Sequence, residues 1–311
     1  MARVALTESR GAAIVMAMLL AALAATIAAT LLWQQQRWAG EHERRRDQVQ
    51  AQVLAMAGVQ WARQILFDNT RGSTIVHLGQ PWAFRLPPTP IENGSIGGYI
   101  VDAQARVNID NLATSADASA PTRAMLERLF ALVGVPLSML NATTDWVDAD
   151  DQVTEGGGAE DAYYLARSVP GLAANAPVRR VAELLAVRSA DPATLDRLRP
   201  FVGAIDAPAT INVNTAPPEV LMAAIGGLDA AAAAELVAAR AQNPYTSIAD
   251  FRARLPRGDL RIDETLLSVR SDWFVVTIEA RQGDTLARAR ALFKRSSIAT
   301  EWPVVVWQTV E

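Results

Sequence analysis

The sequence predicts an α+β protein in which a long N-terminal helix packs on an antiparallel sheet, and a large all-helical domain is inserted into that sheet. Residues 12–67 have helical periodicity and contain no proline. Residues 97–109 and 273–310 alternate apolar and polar side chains as strands do, whereas residues 122–200 between them have helical patterns. Helices lying between two strand regions indicate an insertion into an α+β domain.

Composition excludes several classes of function. The 311 residues allow two domains, or one domain with a large insertion, and half of them are hydrophobic, which is enough for a core. A net charge of −4 argues against a general nucleic-acid binder. The absence of cysteine excludes disulfides and thiolate metal sites. The two histidines, His42 and His77, are far apart, which disfavours a zinc site or a Ser-His-Asp triad.

Ala12–Trp33 contains no charged residue and exceeds the about 20 residues that a membrane-spanning helix needs. Three interpretations fit it: a cleaved secretory signal, a signal anchor, or a leader that is cut after a glycine while the apolar helix stays on the mature chain. A simple positive-inside count opposes the third, because Arg37 and residues 44–46 add four arginines after the run.

The helical pattern continues beyond the apolar run. Apolar or small residues recur in steps of three and four through Val49, Val53, Met56 and residues 65–67, and only Gly40 and Gly58 weaken the pattern. A helix that begins in a membrane and continues as an amphipathic rod favours the leader interpretation.

The junction Arg10-Gly11-Ala12 before AIVMAMLL resembles the prepilin peptidase site of type II secretion pseudopilins. With GGYIVDAQARVNIDNL, DWVDADD, GGGAEDAYY and INVNTAPPEVL, nearly the whole chain resembles the minor pseudopilin K family of the general secretion pathway. The resemblance implies cleavage after Gly11, with Ala12 as the mature N-terminus. Most pseudopilins carry Glu at the fifth mature position, where this chain has Met16, and that departure is itself a feature of subunit K. A subunit with Met16 can donate its own amine but cannot pair with a neighbour's, which suits the end of a filament.

The predicted organisation combines these patterns with the resemblance. It comprises a leader (1–11), a transmembrane and amphipathic helix (12–67), the first strands of a pilin-like part (68–111), an inserted helical domain (112–260) and C-terminal strands (261–311). Short amphipathic helices are predicted over 125–135, 170–187 and 192–202. A hairpin with a Gly283-Asp284 turn joins 273–281 to 285–295, and 303–310 forms one more strand.

An acidic loop at 145–161, DWVDADDQVTEGGGAED, contains seven acids, and no Lys or Arg lies between Arg128 and Arg167. Such a loop is often only solvated. Here two acidic clusters flank a glycine run and can converge, while Trp146 and Tyr164 can anchor the loop to a core. Converging carboxylates raise each other's pKa unless a cation neutralises them. Oxygen ligands of this kind favour Ca²⁺ or Mg²⁺, and Ca²⁺ tolerates irregular geometry.

The loop is not an EF-hand, because the sixth and twelfth positions counted from Asp148 are Val153 and Ala159. The resemblance implies a calcium-binding loop with ligand roles for Asp148, Asp150, Glu160 and Asp161. The further candidates are Asp145 and Asp151. The neighbouring asparagines are predicted to form turns and caps (Asn108, Asn111, Asn212 and Asn214). Paired carboxylates could serve a hydrolase, but no nearby His, Lys or phosphate-binding glycine motif supports an enzyme.

Residues 211–252 are similar to DNA-binding helix-hairpin-helix domains of the competence family. Such hairpins hold phosphate with backbone N–H groups and nearby basic side chains. Residues 211–239 contain no Lys or Arg, and Asp229 would repel phosphate. A packing scaffold is favoured, and the alternative is a membrane-anchored DNA-uptake protein.

The resemblance implies a non-enzymatic minor pseudopilin at the tip of the periplasmic pseudopilus, which assists initiation of assembly and protein export. It implies a single-pass inner-membrane protein with a calcium-stabilised head in the periplasm. The expected partners are prepilin peptidase and the minor pseudopilins I and J, with H as a further candidate. No nucleic acid and no small-molecule substrate are expected.

Overall fold

The computed structural model describes residues 9–296, 298 and 300–311. The α-helices are α1 (Ser9–Gly72), α2 (Ala116–Leu132), α3 (Leu137–Val147), α4 (Asp161–Leu165), α5 (Pro192–Leu198), α6 (Pro218–Ala224), α7 (Ala230–Gln242) and α8 (Ile248–Ala253). The strands are β1 (Leu86–Ile91), β2 (Gly94–Asp102), β3 (Val107–Asn108), β4 (Val202–Gly203), β5 (Ile211–Asn212), β6 (Ile225–Gly226), β7 (Arg261–Ile262), β8 (Leu267–Ser268), β9 (Trp273–Gln282), β10 (Thr285–Lys294) and β11 (Val304–Val310). This order confirms the predicted α+β class.

Helix α1 has 64 residues and two different environments. Residues 11–39 are exposed along their whole length. The second half buries a stripe spaced by three and four residues, which is the spacing of one helix face (Ala51, Ala55, Val59, Ala62 and Leu66). Gly58 lies where the helix meets the sheet, since a Cβ there would lie 2.7 Å from Cγ2 of Ile278. The second half of α1 is therefore the part that carries the folded head.

The main sheet has the antiparallel order β1-β2-β9-β10-β11. Strands β9 and β10 form the predicted hairpin, and Gly283 turns it with φ 53°. Alternate residues of the two strands face α1 and are buried (Phe274, Val276, Ile278, Ala280, Ala287, Ala289, Ala291 and Phe293). This alternation is the two-residue period of a sheet with one face on the core.

The helical part is an insertion in the physical sense. Strand β2 pairs directly with β9, with Tyr99 opposite Thr277, although residues 103–272 separate the two strands in the chain. That segment contains the predicted 112–260 domain and has a hydrophobic core of its own, in which α2 packs on α6 and α6 on α7. Leu126, Phe130 and Leu221 are fully buried there.

One predicted helix is wrong in extent. The sequence predicts a helix over 170–187, but only a 3₁₀ turn, Val181–Ala186, forms within this segment. Pro177 lacks the N–H that an α-helix needs, and Asn175 has a left-handed φ of 41°. The chain from Pro170 to Arg180 is therefore irregular, and it passes close to the acidic loop.

The junction between sheet and insertion is built around Asp102, the last residue of β2. Its buried carboxylate accepts hydrogen bonds from the Gln104 N–H and from the side chains of Asn212, Thr215 and Ser271, the two hydroxyl bonds each 2.6 Å long. Burial raises the pKa of Asp102, and these hydrogen bonds oppose the rise. This carboxylate ties the end of the strand to two distant segments.

The predicted turn-forming asparagines bond to backbone atoms around the same junction. Asn108 Nδ2 donates to the carbonyls of Ile205 and Ala207, each at 2.9 Å. Asn111 Nδ2 donates to the Ala209 carbonyl at 2.8 Å. Asn214 Nδ2 donates to the Tyr245 carbonyl, and Asn212 Nδ2 to that of Val76. These contacts fasten loops to one another.

Candidate metal site

The acidic loop is organised by Asp145, in the last turn of α3. Its side chain is fully buried, and both carboxylate oxygens accept from the Thr154 N–H at 3.1 Å. Oδ2 also accepts from the Ala159 N–H at 2.6 Å. The carboxylate thus accepts hydrogen bonds from backbone N–H groups on both sides of the glycine run. Its role is therefore structural.

The glycine run is required by geometry. Gly156 and Gly157 have φ values of 83° and 121°, a region that residues with a Cβ rarely adopt. A Cβ on Gly158 would collide with Oδ2 of Asp145 and with the Thr154 carbonyl. The three glycines allow the chain to turn back on the end of α3, so Glu160 arrives beside the first acidic cluster.

Glu160 and Asp148 carry the unusual electrostatics of the loop. Both carboxylate oxygens of Glu160 and Oδ1 of Asp148 are buried without a hydrogen-bond partner among the described residues. Burial raises the pKa of Glu160 to about 7, and Asp145, Asp148 and Asp150 add to the rise. Burial, then Asp150 and Asp145, raises the pKa of Asp148 to about 6. These carboxylates are crowded enough to disfavour ionisation.

The other predicted ligands have different surroundings. Asp150 Oδ1 accepts from the Gln152 N–H at 2.9 Å. Asp161 Oδ1 accepts from the Ala173 N–H at 2.9 Å on the exposed rim. Asp151 is exposed, and its side chain makes no hydrogen bond or ion pair within the described part of the chain. The structure therefore gathers Asp145, Asp148, Asp150 and Glu160, places Asp161 at the edge and leaves Asp151 outside.

Within the part of the chain that the structure describes, no basic side chain forms an ion pair with this cluster. None of the ion pairs in the described residues involves an acid of the 145–161 loop. The guanidinium group of Arg188 contacts the loop without pairing with its acids. It donates to the Gly158 carbonyl at 3.1 Å and lies 4.8 Å from the Tyr163 ring centroid. The acidic loop therefore lacks basic residues nearby in the sequence and also lacks an ion-pair partner among the described residues of the folded chain.

Aromatic residues anchor the loop to the helical core. Trp146 and Tyr164 meet edge to face with ring centroids 5.0 Å apart, and Tyr164 is almost fully buried. The Tyr164 hydroxyl accepts from the Arg188 N–H at 3.3 Å. The loop is therefore anchored at both ends, by Trp146 at its start and by the buried Tyr164 after it.

Sequence reasoning missed Asn175. Its Nδ2 donates to the Asp150 carbonyl at 3.1 Å, while its Oδ1 is buried without a partner in the described residues. An Asn oxygen is a hard ligand of the kind that Ca²⁺ accepts alongside carboxylates. The residue lies 25 positions after Asp150, so only its place in the irregular 170–180 segment brings it here.

One observation argues against a divalent-cation site in this loop, and another argues for it. Among the described residues, no group of three or more His, Cys, Asp or Glu side chains is arranged to hold a metal ion. The buried oxygens of Asp148, Glu160 and Asn175, which have no hydrogen-bond partner among the described residues, are nevertheless hard ligands of the kind that Ca²⁺ accepts. Calcium binding therefore stays a prediction, with Asp148 and Glu160 as its best-supported ligands.

Two family models described as type II secretion system (T2SS), protein K, match residues 105–207 and 211–270, more than half of the chain. A type II secretion system protein K of Klebsiella pneumoniae is 31% identical over 304 residues, covering 93% of each chain.

The chain belongs to the type II secretion system protein K family.

Further relatives agree with this membership. A protein K of Pseudomonas aeruginosa is 29% identical over 286 residues, covering 88% of this chain and 85% of that protein. The solved structure of the GspK-GspI-GspJ complex from enterotoxigenic Escherichia coli contains a chain that superposes with a TM-score of 0.74 at 26% identity, covering 88% of this chain and 99% of that one. The predicted pilin-like fold with a helical insertion is thereby confirmed.

The N-terminal part of this protein K homologue fits a membrane anchor. Within the described residues, Gly11–Gly72 is the one helix long and apolar enough to cross a membrane, with a mean hydropathy of 2.4 over its most apolar window. Gly11, Ala12 and Met16 lie exposed in its first turns. Residues 1–8 of the predicted leader lie outside the described residues.

The helix-hairpin-helix-like segment falls inside the second family match. Asp229 caps α7, and its carboxylate accepts from the Ala232 N–H at 2.8 Å. That carboxylate covers the helix N-terminus, where a phosphate would need free N–H groups. The DNA-uptake alternative is therefore not favoured.

Proposed function

We propose that this chain is a non-enzymatic minor pseudopilin that caps the tip of a periplasmic pseudopilus and assists initiation of its assembly. The family membership and the likeness to a chain of the GspK-GspI-GspJ complex support this role. The helical insertion adds bulk beside the sheet, which would be hard to bury within a slim filament. A position at the end of the filament accommodates it.

The proposed partners are the pseudopilins I and J, with H as a further candidate. The first half of α1 offers a continuous uncovered surface along residues 11–39 for helix packing. Met16 removes the acid that would receive a neighbour's N-terminal amine, while this chain's own amine stays available. A subunit of this kind can start an assembly with subunits that do carry the acid.

The proposed topology places the N-terminus of α1 in the inner membrane and the head in the periplasm. Prepilin peptidase would cut after Gly11, because the Gly11-Ala12 junction directly precedes the apolar run. The apolar helix would then remain on the mature chain as its single membrane span.

The head is proposed to bind Ca²⁺ through Asp148 and Glu160, with Asp145, Asp150 and Asp161 around them. The single observation that carries this part is the burial of both Glu160 oxygens without a partner among the described residues. A bound cation would supply the positive charge that these carboxylates lack, and would hold the loop in its folded arrangement. The proposed role of the ion is structural.

Co-purification tests the partner proposal. The full chain, tagged and extracted in a non-ionic detergent, should recover I and J together from cells that express all three. Recovery of neither subunit by the folded full chain would contradict the proposed partnership, and unaltered protein export in cells lacking the chain would contradict the role in secretion.

A further inference from the structure

A cleft of about 290 Å³ lies where the outer face of the sheet meets the helical insertion. Five arginines line it: Arg106, Arg179, Arg180, Arg199 and Arg290. Arg290 projects from β10, whereas Arg179, Arg180 and Arg199 come from the insertion. Such a concentration of positive charge stands out in a chain of net charge −4.

Most of these guanidinium groups lack a counter-charge. Within the described part of the chain, the side chains of Arg106, Arg179, Arg180 and Arg290 make no ion pair or hydrogen bond. Arg199 pairs with Asp196 at 3.5 Å on the exposed surface. Arg106 is half-buried, whereas the other four arginines are exposed, so their guanidinium groups are accessible to carboxylate or phosphate groups.

Arg106 is the least exposed of the five arginines. Its side chain is half-buried, and burial lowers its pKa; the neighbouring Tyr99 raises that pKa, and the charge of Arg290 lowers it. Glu311 also lines the cleft, and Asp206 lines the adjoining depression, but the five arginines outnumber these two acidic residues. The electrostatic field at the cleft therefore favours an incoming anion.

The walls of the cleft are apolar. Leu292 and Trp307 of the sheet and Val181 of the insertion line it between the arginines. A second depression of about 370 Å³ shares Arg179, Arg180 and Trp307 with it and extends the groove. An elongated groove with apolar walls and basic rims fits an extended chain that carries both carboxylates and aliphatic side chains.

Other anions fit the cleft less well. Between Trp33, at the end of the apolar run, and Ala51, the first residue of the buried stripe, α1 extends roughly 27 Å at 1.5 Å per residue. That exceeds the Debye length of about 8 Å, so lipid headgroups at the apolar run would attract the buried half of α1 and the head around it only weakly. Nucleic acid would face a chain of net negative charge.

We propose that this cleft binds an acidic, aliphatic segment of a second protein. Carboxylates of the segment pair with Arg106 and Arg290, and its aliphatic side chains pack on Val181 and Trp307. The occupant contacts the sheet and the insertion together, so its binding couples the two parts of the head. This inference depends on neither the calcium site nor the filament position.

Fluorescence anisotropy with the full chain in non-ionic detergent tests the proposal. The probe is a short fluorescein-labelled peptide of alternating Glu and Leu, and the comparison peptides carry Gln or Lys in place of Glu. We expect binding of the Glu peptide that weakens with added salt, and none of the Lys peptide. The paired substitution Arg106→Gln with Arg290→Gln should weaken binding about tenfold or more, since charge-assisted hydrogen bonds are lost.

Arg197→Gln is the matched control, because Arg197 is exposed on α5 outside the cleft. Equal binding of the Gln peptide, equal weakening by Arg197→Gln, or tighter binding of single-stranded DNA than of the Glu peptide would overturn the proposal. If the paired variant does not fold, hydrogen exchange on the unaltered chain decides. Peptide-dependent protection of residues 179–181 and 304–309 supports the site, and protection confined to other regions refutes it.

Discussion

The Ala159 N–H donates a 2.6 Å hydrogen bond to Oδ2 of Asp145, which places the next residue, Glu160, beside the end of α3. This contact joins the two acidic clusters across the glycine run. The acids of the loop therefore have different roles. Asp145 holds the loop together through its hydrogen bonds, while Asp148 and Glu160 have carboxylate oxygens without partners in the described structure.

Calcium should raise the melting temperature of the full chain in detergent, and EDTA should lower it. A ligand that binds only the folded form stabilises it by about 2.7 kcal/mol at a concentration 100-fold above its dissociation constant. Glu160→Gln should abolish most of the calcium response, whereas Glu155→Gln should retain it, as measured by circular dichroism. Identical melting curves with calcium and with EDTA would contradict the calcium proposal.

Asp145 and Asp148 should respond oppositely to conversion to amides in EDTA. Asp145→Asn places an NH₂ group against the donors of Thr154 and Ala159 and should cost about 2 kcal/mol of unfolding free energy. Asp148→Asn removes a partly buried, crowded charge and should be neutral or stabilising, because burial, and after it Asp150 and Asp145, already raise the pKa of Asp148. Denaturant titration measures both, and a large loss for Asp148→Asn would refute the assignment.

The pH dependence of stability should also differ between EDTA and calcium. The pKa of Glu160 rises from 4.5 to about 7 on folding, so between these pH values the folded chain holds a proton that the unfolded chain has released. In EDTA this contribution is complete below the lower value and is lost as pH rises towards the upper one. Calcium binds the ionised form and should remove that decline.

Melting temperatures between about pH 5 and about pH 8 test this prediction. Asp110 shares the behaviour, since burial raises its pKa to about 7, so the contribution of Glu160 is the difference between the unaltered chain and Glu160→Gln. If the two chains show the same pH profile in EDTA, the buried-acid interpretation of Glu160 is wrong.

Gly58 should be needed for the contact between α1 and the sheet. Gly58→Leu would force a side chain against Ile278 and should cost about 2 kcal/mol of unfolding free energy through overpacking. Gly40→Leu is the control, because no heavy atom lies within 4 Å of a Cβ at that position, and it should be neutral or gain up to about 1 kcal/mol from helix propensity. Equal effects on thermal unfolding would show that the helix does not pack there.

Processing should produce a mature chain that begins at Ala12. Mass spectrometry of the membrane-extracted protein from a strain with active prepilin peptidase should show that N-terminus, because the cut precedes the apolar run. Ala13→Ser, beyond the cut, serves as a control for Gly11→Val, which should leave the leader attached. An intact leader on the unaltered chain would contradict the assignment.

Local patterns carried most of the fold prediction. The spacing of apolar residues along α1 and the Gly283-Asp284 turn are properties of neighbouring residues, and both appear in the structure. The pairing of β2 with β9 joins segments separated by the whole insertion, so no local pattern encodes its register. The predicted helix over 170–187 is wrong in extent, because the helix-forming residues in this segment do not overcome the breaks at Asn175 and Pro177.

The candidate metal site was also predicted only in part from local sequence patterns. Clustered acids beside glycines identified the loop, but burial distinguishes the structural Asp145 from the orphaned Glu160, and burial depends on the fold around them. Asn175 reaches Asp150 only through the path of the irregular segment. Asp151 looked equivalent to its neighbours in the sequence and is exposed in the structure.

The direct pairing of β2 with β9 also constrains how the molecule is made. Its central strand neighbours are separated by a complete helical unit, so the sheet has high contact order and cannot close until the C-terminal hairpin has emerged from the ribosome or translocon. Meanwhile the insertion, which has its own core, can collapse first. Slow closure would leave the apolar stripe of α1 uncovered during biogenesis, the interval in which a chaperone would be needed most.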